Sequence, residues 1–275
     1  MKTYCIIGDP IEHSLSPAMH NAVFRMLNLD CVYIAMRVKS NELDAAIKSI
    51  KNSNISGFNV TMPHKVSIIE YIDKLDESSI LADAVNTVDI KDEKMIGYNT
   101  DIHGFITPIK ERGIILKDKN VLLLGAGGAA RAIIIALSKE HINELIIANR
   151  DIKKANMLID SLKSKINISF DTRFMDLNNA KDYAKNSYLI VNATPLGMKN
   201  EASIISAKYI NHDSIIYDIV YRPMNTPLIL EAINANAKVI YGYEMLLEQG
   251  AKAFEIWLSI KAPRDIMKMA LLGGF

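Results

Sequence analysis

Cysteine is scarce in this 275-residue chain. Cys5 and Cys31 each stand in an apolar strand-like run without C-x-x-C spacing, so a disulfide framework and a thiolate zinc site both lack their sequence basis. Both are expected as buried thiols. Metal-ligand spacing is missing among the histidines too: His13, His20, His103, His141 and His212 form no H-x-x-x-H pair with a partner carboxylate, and no metal is implied. Nor is there an excess of charge of one sign. Lys and Arg number 32 against 31 Asp and Glu, a formal charge of +1, which removes the electrostatic reason for a nucleic-acid or membrane partner and favours a small polar ligand. No apolar run approaches the ~18 residues of a membrane span. Gly8, Asp9 and Pro10 interrupt the first apolar run before a secretory core is complete, so a soluble, cytoplasmic protein is expected.

What the chain does have is alternation. Strand-like and helix-like patterns follow one another without low-complexity tracts or internal repeats, the mark of an α/β protein of this length with two domains. "TYCIIG", "VYIAMRV", "SGFNVTM" and "AVNTVDI" read as strands, separated by helical patterns such as "SPAMHNAVFRMLNL" and "SNELDAAIKSIKN", the latter with Ser40 and Asn41 as candidate caps. A helix is expected from Asp101, then a polar loop. The strands "VLLLG", "ELIIA", "ISF", "YLIVNA", "SIIYDIV" and "KVIYG" follow with the rhythm of a doubly wound parallel sheet. Two helical patterns close the chain, broken at Pro263. The expected division is residues 1–101 with 243–275 as one domain and 102–242 as the other. A chain that crosses twice makes the cleft between the domains the expected ligand site.

The turn "GAGGAA" after the Val121 strand admits two readings. Its glycines supply positive φ to a tight corner, or they cradle a pyrophosphate at a helix amino terminus, with Gly125 ending the strand, Gly127 allowing close approach and Ala130 packing helix on strand. Asn149 and Arg150 end the next strand, where a dinucleotide fold carries the group that meets the adenine ribose. An arginine there suits a 2′-phosphate and favours NADP over NAD, with Lys154 one turn on; a solvated loop charge is the alternative. Asp151 is an unfavourable neighbour for a phosphate.

Four polar clusters in the first hundred residues resist explanation as packing. Ser14 and Ser16 precede a helix that starts at Pro17, a place for a carboxylate or for a simple cap. "NVTMPHK" ends a strand at Thr61 and starts a helix at Pro63, so Lys65 is expected in a first helical turn that disfavours it slightly. "AVNTV" sets Asn86 inside an apolar strand, where its amide needs a partner. Asp101 stands at a helix start, a catalytic position or an N-cap.

These residues resemble the shikimate dehydrogenase family. The match runs through "GDPIEHSLSPAMHN", "GFNVTMPHK", "AVNTV", "GYNTD", "GAGGAARA", "NR", "NATPLGM", "DIVYRPMNTPL" and "EQGAKAFEIW", in order and register. The resemblance implies an N-terminal substrate-binding α/β domain and a Rossmann-like NADP domain. The implied reaction is the reversible reduction of 3-dehydroshikimate to shikimate with NADPH, by a monomer or homodimer. It assigns Lys65 and Asp101 as the catalytic pair, Ser14 and Ser16 to the substrate carboxylate, and Thr61, Asn86, Tyr221 and Gln249 to the ring hydroxyls and surrounding groups. It places the cofactor on Gly125, Ala126, Gly127, Gly128, Ala129, Asn149, Arg150 and Lys154, with Ile219 and Gly242 at the nicotinamide half and Glu77 nearby. Two positions depart from the pattern: Asp151 replaces a Thr or Ser, and His64 stands where a Phe is common, a packing position without a catalytic role. Rival expectations are a quinate or dual quinate/shikimate dehydrogenase using NAD(P), a folate-linked dehydrogenase, and a non-catalytic dinucleotide sensor, against which the retained Lys65 and Asp101 argue.

Overall fold

The structure, a computed structural model, describes residues 1–199 and 201–273. The backbone divides into two compact units, Met1–Gly104 with Leu247–Phe275, and Phe105–Leu246. In the first, β1 (Lys2–Gly8), α1 (Ser16–Met26), β2 (Cys31–Arg37), α2 (Leu43–Lys51), β3 (Ile55–Val60), β4 (Lys74–Leu75), α3 (Glu77–Ala82), β5 (Thr87–Lys91) and β6 (Lys94–Tyr98) lead to α4, which starts at Asp101 and ends at Glu111 in the second unit. The strands make one sheet in the order β2-β1-β3-β5-β6-β4. β1 pairs in parallel with β2 and β3, whereas β5 runs antiparallel to both β3 and β6. One face of the sheet closes over Cys5, Ile7, Ile47, Phe58, Val88 and Met95, buried aliphatic and aromatic side chains from alternating strand positions and from the apolar stripe of α2.

The C-terminal segment belongs to this unit for a reason visible in its single tryptophan. Trp257 donates its indole N–H to the Val88 carbonyl at 2.9 Å and stacks on Tyr4 with ring centroids 4.9 Å apart. Gly57 makes the space, since a Cβ there would stand 2.5 Å from the indole nitrogen.

The second unit holds β7 (Asn120–Leu124), α5 (Gly128–Leu137), β8 (Glu144–Ala148), α6 (Ile152–Lys163), β9 (Asp171–Met175), α7 (Lys181–Ala184), β10 (Leu189–Asn192), β11 (Ile215–Asp218), α8 (Pro227–Asn234) and β12 (Lys238–Ile240). Then α9 (Gly242–Leu258) returns the chain to the first unit, where α10 (Arg264–Leu271) packs on α1. The second sheet is parallel throughout, in the order β12-β11-β10-β7-β8-β9. Its central strands are buried along their length from Val121, Leu189 and Ile215 on, which is why they read as continuous apolar runs.

Several local expectations are corrected. "ISF" is not a strand; pairing with β8 begins at Asp171 opposite Glu144, and the edge strand runs to Met175. β4 and β6 lie outside the expected strands, because β4 has two residues and β6 is a five-residue, glycine-containing hairpin partner of β5. Ser40 and Asn41 do not cap α2: they lie in a 3₁₀ turn, where the Glu42 carboxylate accepts the Lys39 N–H at 3.0 Å. Cys5 is buried and its thiol is pushed up to about 12 by that burial, but Cys31, at the head of an edge strand, is only half-buried. Among the described residues, no helix is long and apolar enough to cross a membrane.

Candidate active site

Lys65 and Asp101 meet within the first unit. The ammonium donates to Asp101 Oδ2 at 2.5 Å, with the lysine side chain 22% and the carboxylate 8% exposed. The other carboxylate oxygen accepts from Asn86 Nδ2 at 2.7 Å. Asn86 is held in turn, its Oδ1 accepting the Thr100 N–H at 2.7 Å and the Thr87 hydroxyl at 3.0 Å, and Thr100 Oγ1 reaches Gln249 Oε1 at 3.5 Å, the outer limit of a hydrogen bond. This environment fixes one orientation for the Asn86 amide, with nitrogen toward the carboxylate and oxygen toward backbone and hydroxyl donors.

The local backbone explains how these residues converge, and it corrects two expectations. Lys65 is not in a helix. Residues 62–66 form turns after β3 and a 3₁₀ helix starts only at Ser67, because the Lys65 carbonyl accepts the Val85 N–H at 2.7 Å and the His64 ring binds the Val38 carbonyl at 2.6 Å. His64 is a buried anchor of this turn. Asn86 precedes β5 instead of lying inside it, and its carbonyl takes the Val60 N–H. Asp101 begins α4, but Asn99 performs the capping: its Oδ1 accepts the Asp101 N–H at 3.1 Å, which leaves the Asp101 carboxylate for Lys65 and Asn86.

The hydroxyl pair connects to the same network. Ser14 Oγ accepts the Ser16 N–H at 3.3 Å at the start of α1, and buried Ser16 hydrogen-bonds the phenol of Tyr33, itself buried, whose pKa burial raises well above the ordinary tyrosine range. Tyr33 donates to Asn59 Oδ1 at 2.6 Å, and Asn59 Nδ2 donates to Thr87 Oγ1 at 2.9 Å, which bonds Asn86. Thus Ser14, Ser16, Asn86, Lys65, Asp101 and Gln249 belong to one chain of polar contacts. Thr61 follows β3 directly, its N–H on the Ile7 carbonyl. Tyr33, Asn59, Thr87, Asn99 and Thr100 escaped the sequence reading. Their signal was an unusual density of amides and hydroxyls in otherwise apolar strands, which must be paired once buried.

The second unit gathers the expected cofactor residues along the carboxyl ends of its strands. Gly125 follows β7 with φ of +104°, and a Cβ there would lie 2.9 Å from Thr194 Cγ2, so both conformation and packing require glycine. A Cβ at Gly127 or Gly128 would meet nothing within 4 Å, so the surface before the first turn of α5 is open. No side chain caps that turn, whose N–H groups remain available to an anion, while Ala126 and Ala130 are buried beneath it and Ala129 is half-buried. The residues therefore fit a pyrophosphate. Asn149 and exposed Arg150 follow β8, and Asp151 accepts the Lys154 N–H at 3.2 Å as the N-cap of α6. The Thr or Ser expected at 151 would cap the same helix, whose dipole offsets the charge of the aspartate. Ile219 and Tyr221 lie on the loop after β11, where burial raises the phenol pKa of Tyr221. Gly242 stands against that loop: a Cβ would fall 2.4 Å from the Val220 carbonyl oxygen. Gly242→Ala is expected to cost about 1–3 kcal/mol of stability in the second unit, read as a lower denaturant midpoint. Glu77, by contrast, is exposed on α3 in the first unit, apart in the chain from the loops of the second.

Comparison with known proteins is decisive at this point. Residues 6–88 match the family model for the shikimate dehydrogenase substrate binding domain, residues 109–220 that for shikimate/quinate 5-dehydrogenase, and residues 242–272 that for the shikimate 5′-dehydrogenase C-terminal domain. The NADP(+) shikimate dehydrogenase of Nitrosopumilus maritimus is 51% identical over 100% of this chain and 99% of its own. The chain belongs to the shikimate dehydrogenase family. Among solved structures, a shikimate dehydrogenase in complex with NADP+ superposes with a TM-score of 0.90 at 39% identity, covering 100% of this chain and 96% of that one. The Thermus thermophilus enzyme in complex with NADP(H) and shikimate gives 0.88 at 32% identity, with complete coverage of both chains (100% each). The shikimate dehydrogenase resemblance read from the motifs is thereby borne out over the whole chain, as is the pairing of two α/β units.

Proposed function

We propose that this chain catalyses the reversible NADP-dependent reduction of 3-dehydroshikimate to shikimate, a step toward the aromatic amino acids. The observation that carries the reading is the ion pair of Lys65 and Asp101, locked by Asn86 in a chain whose full-length relatives are NADP(+) shikimate dehydrogenases. When bound, NADPH supplies a hydride to the carbonyl carbon. Charge then builds on the carbonyl oxygen, and Lys65 donates a hydrogen bond and then a proton to it; in the oxidation direction Lys65 takes the proton back. Asp101 accepts from the ammonium and is fixed by Asn86, so the donor is held in place before substrate arrives. Ser14 and Ser16 bind the substrate carboxylate, and Thr61, Asn86, Gln249 and Tyr221 bind the hydroxyls and surrounding groups. Gly125 to Ala129 hold the pyrophosphate and Asn149, Arg150 and Lys154 the 2′-phosphoribose, with Ile219 and Gly242 beside the nicotinamide and Glu77 nearby. The enzyme acts in the cytoplasm as a monomer or homodimer.

Quinate carries one hydroxyl more than shikimate, on the carbon that bears the carboxylate, so the Ser14/Ser16 corner is where discrimination arises. A kcat/KM higher for shikimate than for quinate is expected, and the reverse order would reassign the substrate. For the cofactor, kcat/KM with NADP exceeds that with NAD, and Arg150→Ala lowers the ratio by about tenfold, the worth of one charge-assisted hydrogen bond to a phosphate. A wild-type ratio near or below one rejects NADP as the preferred cofactor.

A further inference from the structure

We propose that Asp218 is a positioning residue for the cofactor, its buried carboxylate tying the two loops after β10 and β11 to each other and to the glycine turn at Gly125. Asp218 ends β11 with no exposed surface. Its Oδ1 accepts from Asn192 Nδ2 at 2.9 Å and from the Val220 N–H at 3.0 Å, and its Oδ2 accepts the Thr226 hydroxyl at 2.6 Å. Two of these donors have fixed roles. The backbone N–H has no other choice. Asn192 has its oxygen committed to the Thr194 N–H at 3.1 Å and the Thr194 hydroxyl at 2.6 Å, and its nitrogen also reaches the Leu196 carbonyl at 3.1 Å. Thr226 accepts the Ile229 N–H at 3.3 Å as the N-cap of α8, so its proton is free to point at the carboxylate. A carboxylate accepts from all three at once, whereas an amide of the same shape turns its nitrogen toward Thr226 and makes that hydroxyl give up its role as donor.

The consequence reaches the residues assigned to NADP, and the inference rests on that assignment. Asn192 shapes the 193–197 loop, whose Thr194 and Ala193 pack against Gly125 at the strand end of the glycine turn. Val220 and Thr226 are the points at which the carboxylate holds the loop after β11, which carries Ile219 and Tyr221, and the Ile219 N–H is held by the Asn192 carbonyl at 3.1 Å. Gly242 supports the other side of that loop through close contact with the Ile219 and Val220 carbonyls. Asn192 ends β10, the neighbour of β7, at the crevice where strand order reverses and where ligands of such sheets bind. Burial raises the pKa of Asp218 to about 6 against the pull of its hydrogen bonds. A fold that keeps a carboxylate there bears a desolvation cost that an apolar residue would avoid.

The test uses the whole enzyme. Asp218→Asn is expected to raise the dissociation constant for NADPH, followed by quenching or transfer of nicotinamide fluorescence, by about tenfold or more, the loss of a hydrogen bond to a charged group. Shikimate binding without cofactor falls by less than NADPH binding, since of its assigned contacts only Tyr221 lies on this loop, while Ser14, Ser16, Thr61, Asn86 and Gln249 lie in the other unit. Thr226→Val weakens NADPH binding in the same direction and Thr226→Ser restores it, which keeps the test decisive should Asp218→Asn fold poorly. An enzyme that oxidises NADPH normally and binds it equally well as wild type, Asp218→Asn and Thr226→Val overturns the proposal and leaves the assigned function standing. A wild-type protein that binds no NADPH removes the function and this proposal together.

Discussion

Lys65→Ala is expected to lower kcat for 3-dehydroshikimate reduction by about 10²-fold or more, the range of a lost general acid. The NADPH dissociation constant is expected to stay within roughly twofold, because the residues assigned to the cofactor's phosphates all lie in the second unit. An ammonium has three N–H donors, and Asp101 Oδ2 uses one of them at 2.5 Å. The others can serve a carbonyl oxygen that gains charge as hydride arrives, an interaction stronger in the transition state than in the ground state, and its loss appears in kcat. Removing the lysine also leaves Asp101 nearly buried beside Asn86 without its counter-charge, so stability must be measured on the same variant. Lys65→Met retains the aliphatic stem and separates the effects: both variants lose turnover, whatever their melting temperatures. A kcat near wild type in either one would remove Lys65 from the chemistry.

Acid is expected to weaken the first unit through His20. This side chain has no exposed surface, stacks on Tyr33 with centroids 4.5 Å apart, and neither ring nitrogen has a hydrogen-bond partner among the described residues. Burial holds its pKa down to about 3, against an ordinary value of 6.5. Above pH 6.5 the imidazole is neutral in both folded and unfolded chains, and the group contributes nothing. As pH falls from 6.5 toward 3 the unfolded chain takes up a proton that the folded one refuses, and folding loses about 1.4 kcal/mol per pH unit. Between pH 6.5 and 5 that amounts to about 2 kcal/mol. In urea melts of wild type and His20→Leu, the variant starts less stable at pH 7 for want of the aromatic stack, but its stability falls less toward pH 5. Parallel pH curves for the two proteins would show that His20 does not control the acid response. Asp218 acts in the opposite sense in the second unit: its raised pKa favours the folded, protonated form below about 6, so hydrogen exchange should report the two units separately.

The fold was legible where physics is local and periodic. The strands of the second sheet are buried on both faces, so "VLLLG" and "YLIVNA" announced themselves, and Gly125 at positive φ marked the turn between strand and helix. The short strand β6 and the edge strand β9 were missed or displaced because half-exposed strands carry weak patterns. The helix expected at Lys65 failed for a related reason: a long-range bond from Val85 takes the lysine carbonyl, which no local spacing foretells. Residue types in the candidate site were legible as polar intrusions into apolar runs, Asn86 above all, and the family resemblance supplied their roles. Their supports were not. Tyr33, Asn59, Asn99, Asn192 and Asp218 act through partners 26, 28, 15 or as few as 2 residues away, and only folding reveals which amide meets which carboxylate.

The most direct measurement is the initial rate of NADPH oxidation by the purified protein with 3-dehydroshikimate, run beside NADH and beside 3-dehydroquinate. Rapid oxidation that needs 3-dehydroshikimate, prefers NADPH and disappears in Lys65→Met is the predicted result. No substrate-dependent oxidation of either nucleotide, from a protein that is folded and binds NADPH, would contradict the assignment of Lys65 and Asp101 to proton transfer and with it the enzymatic account.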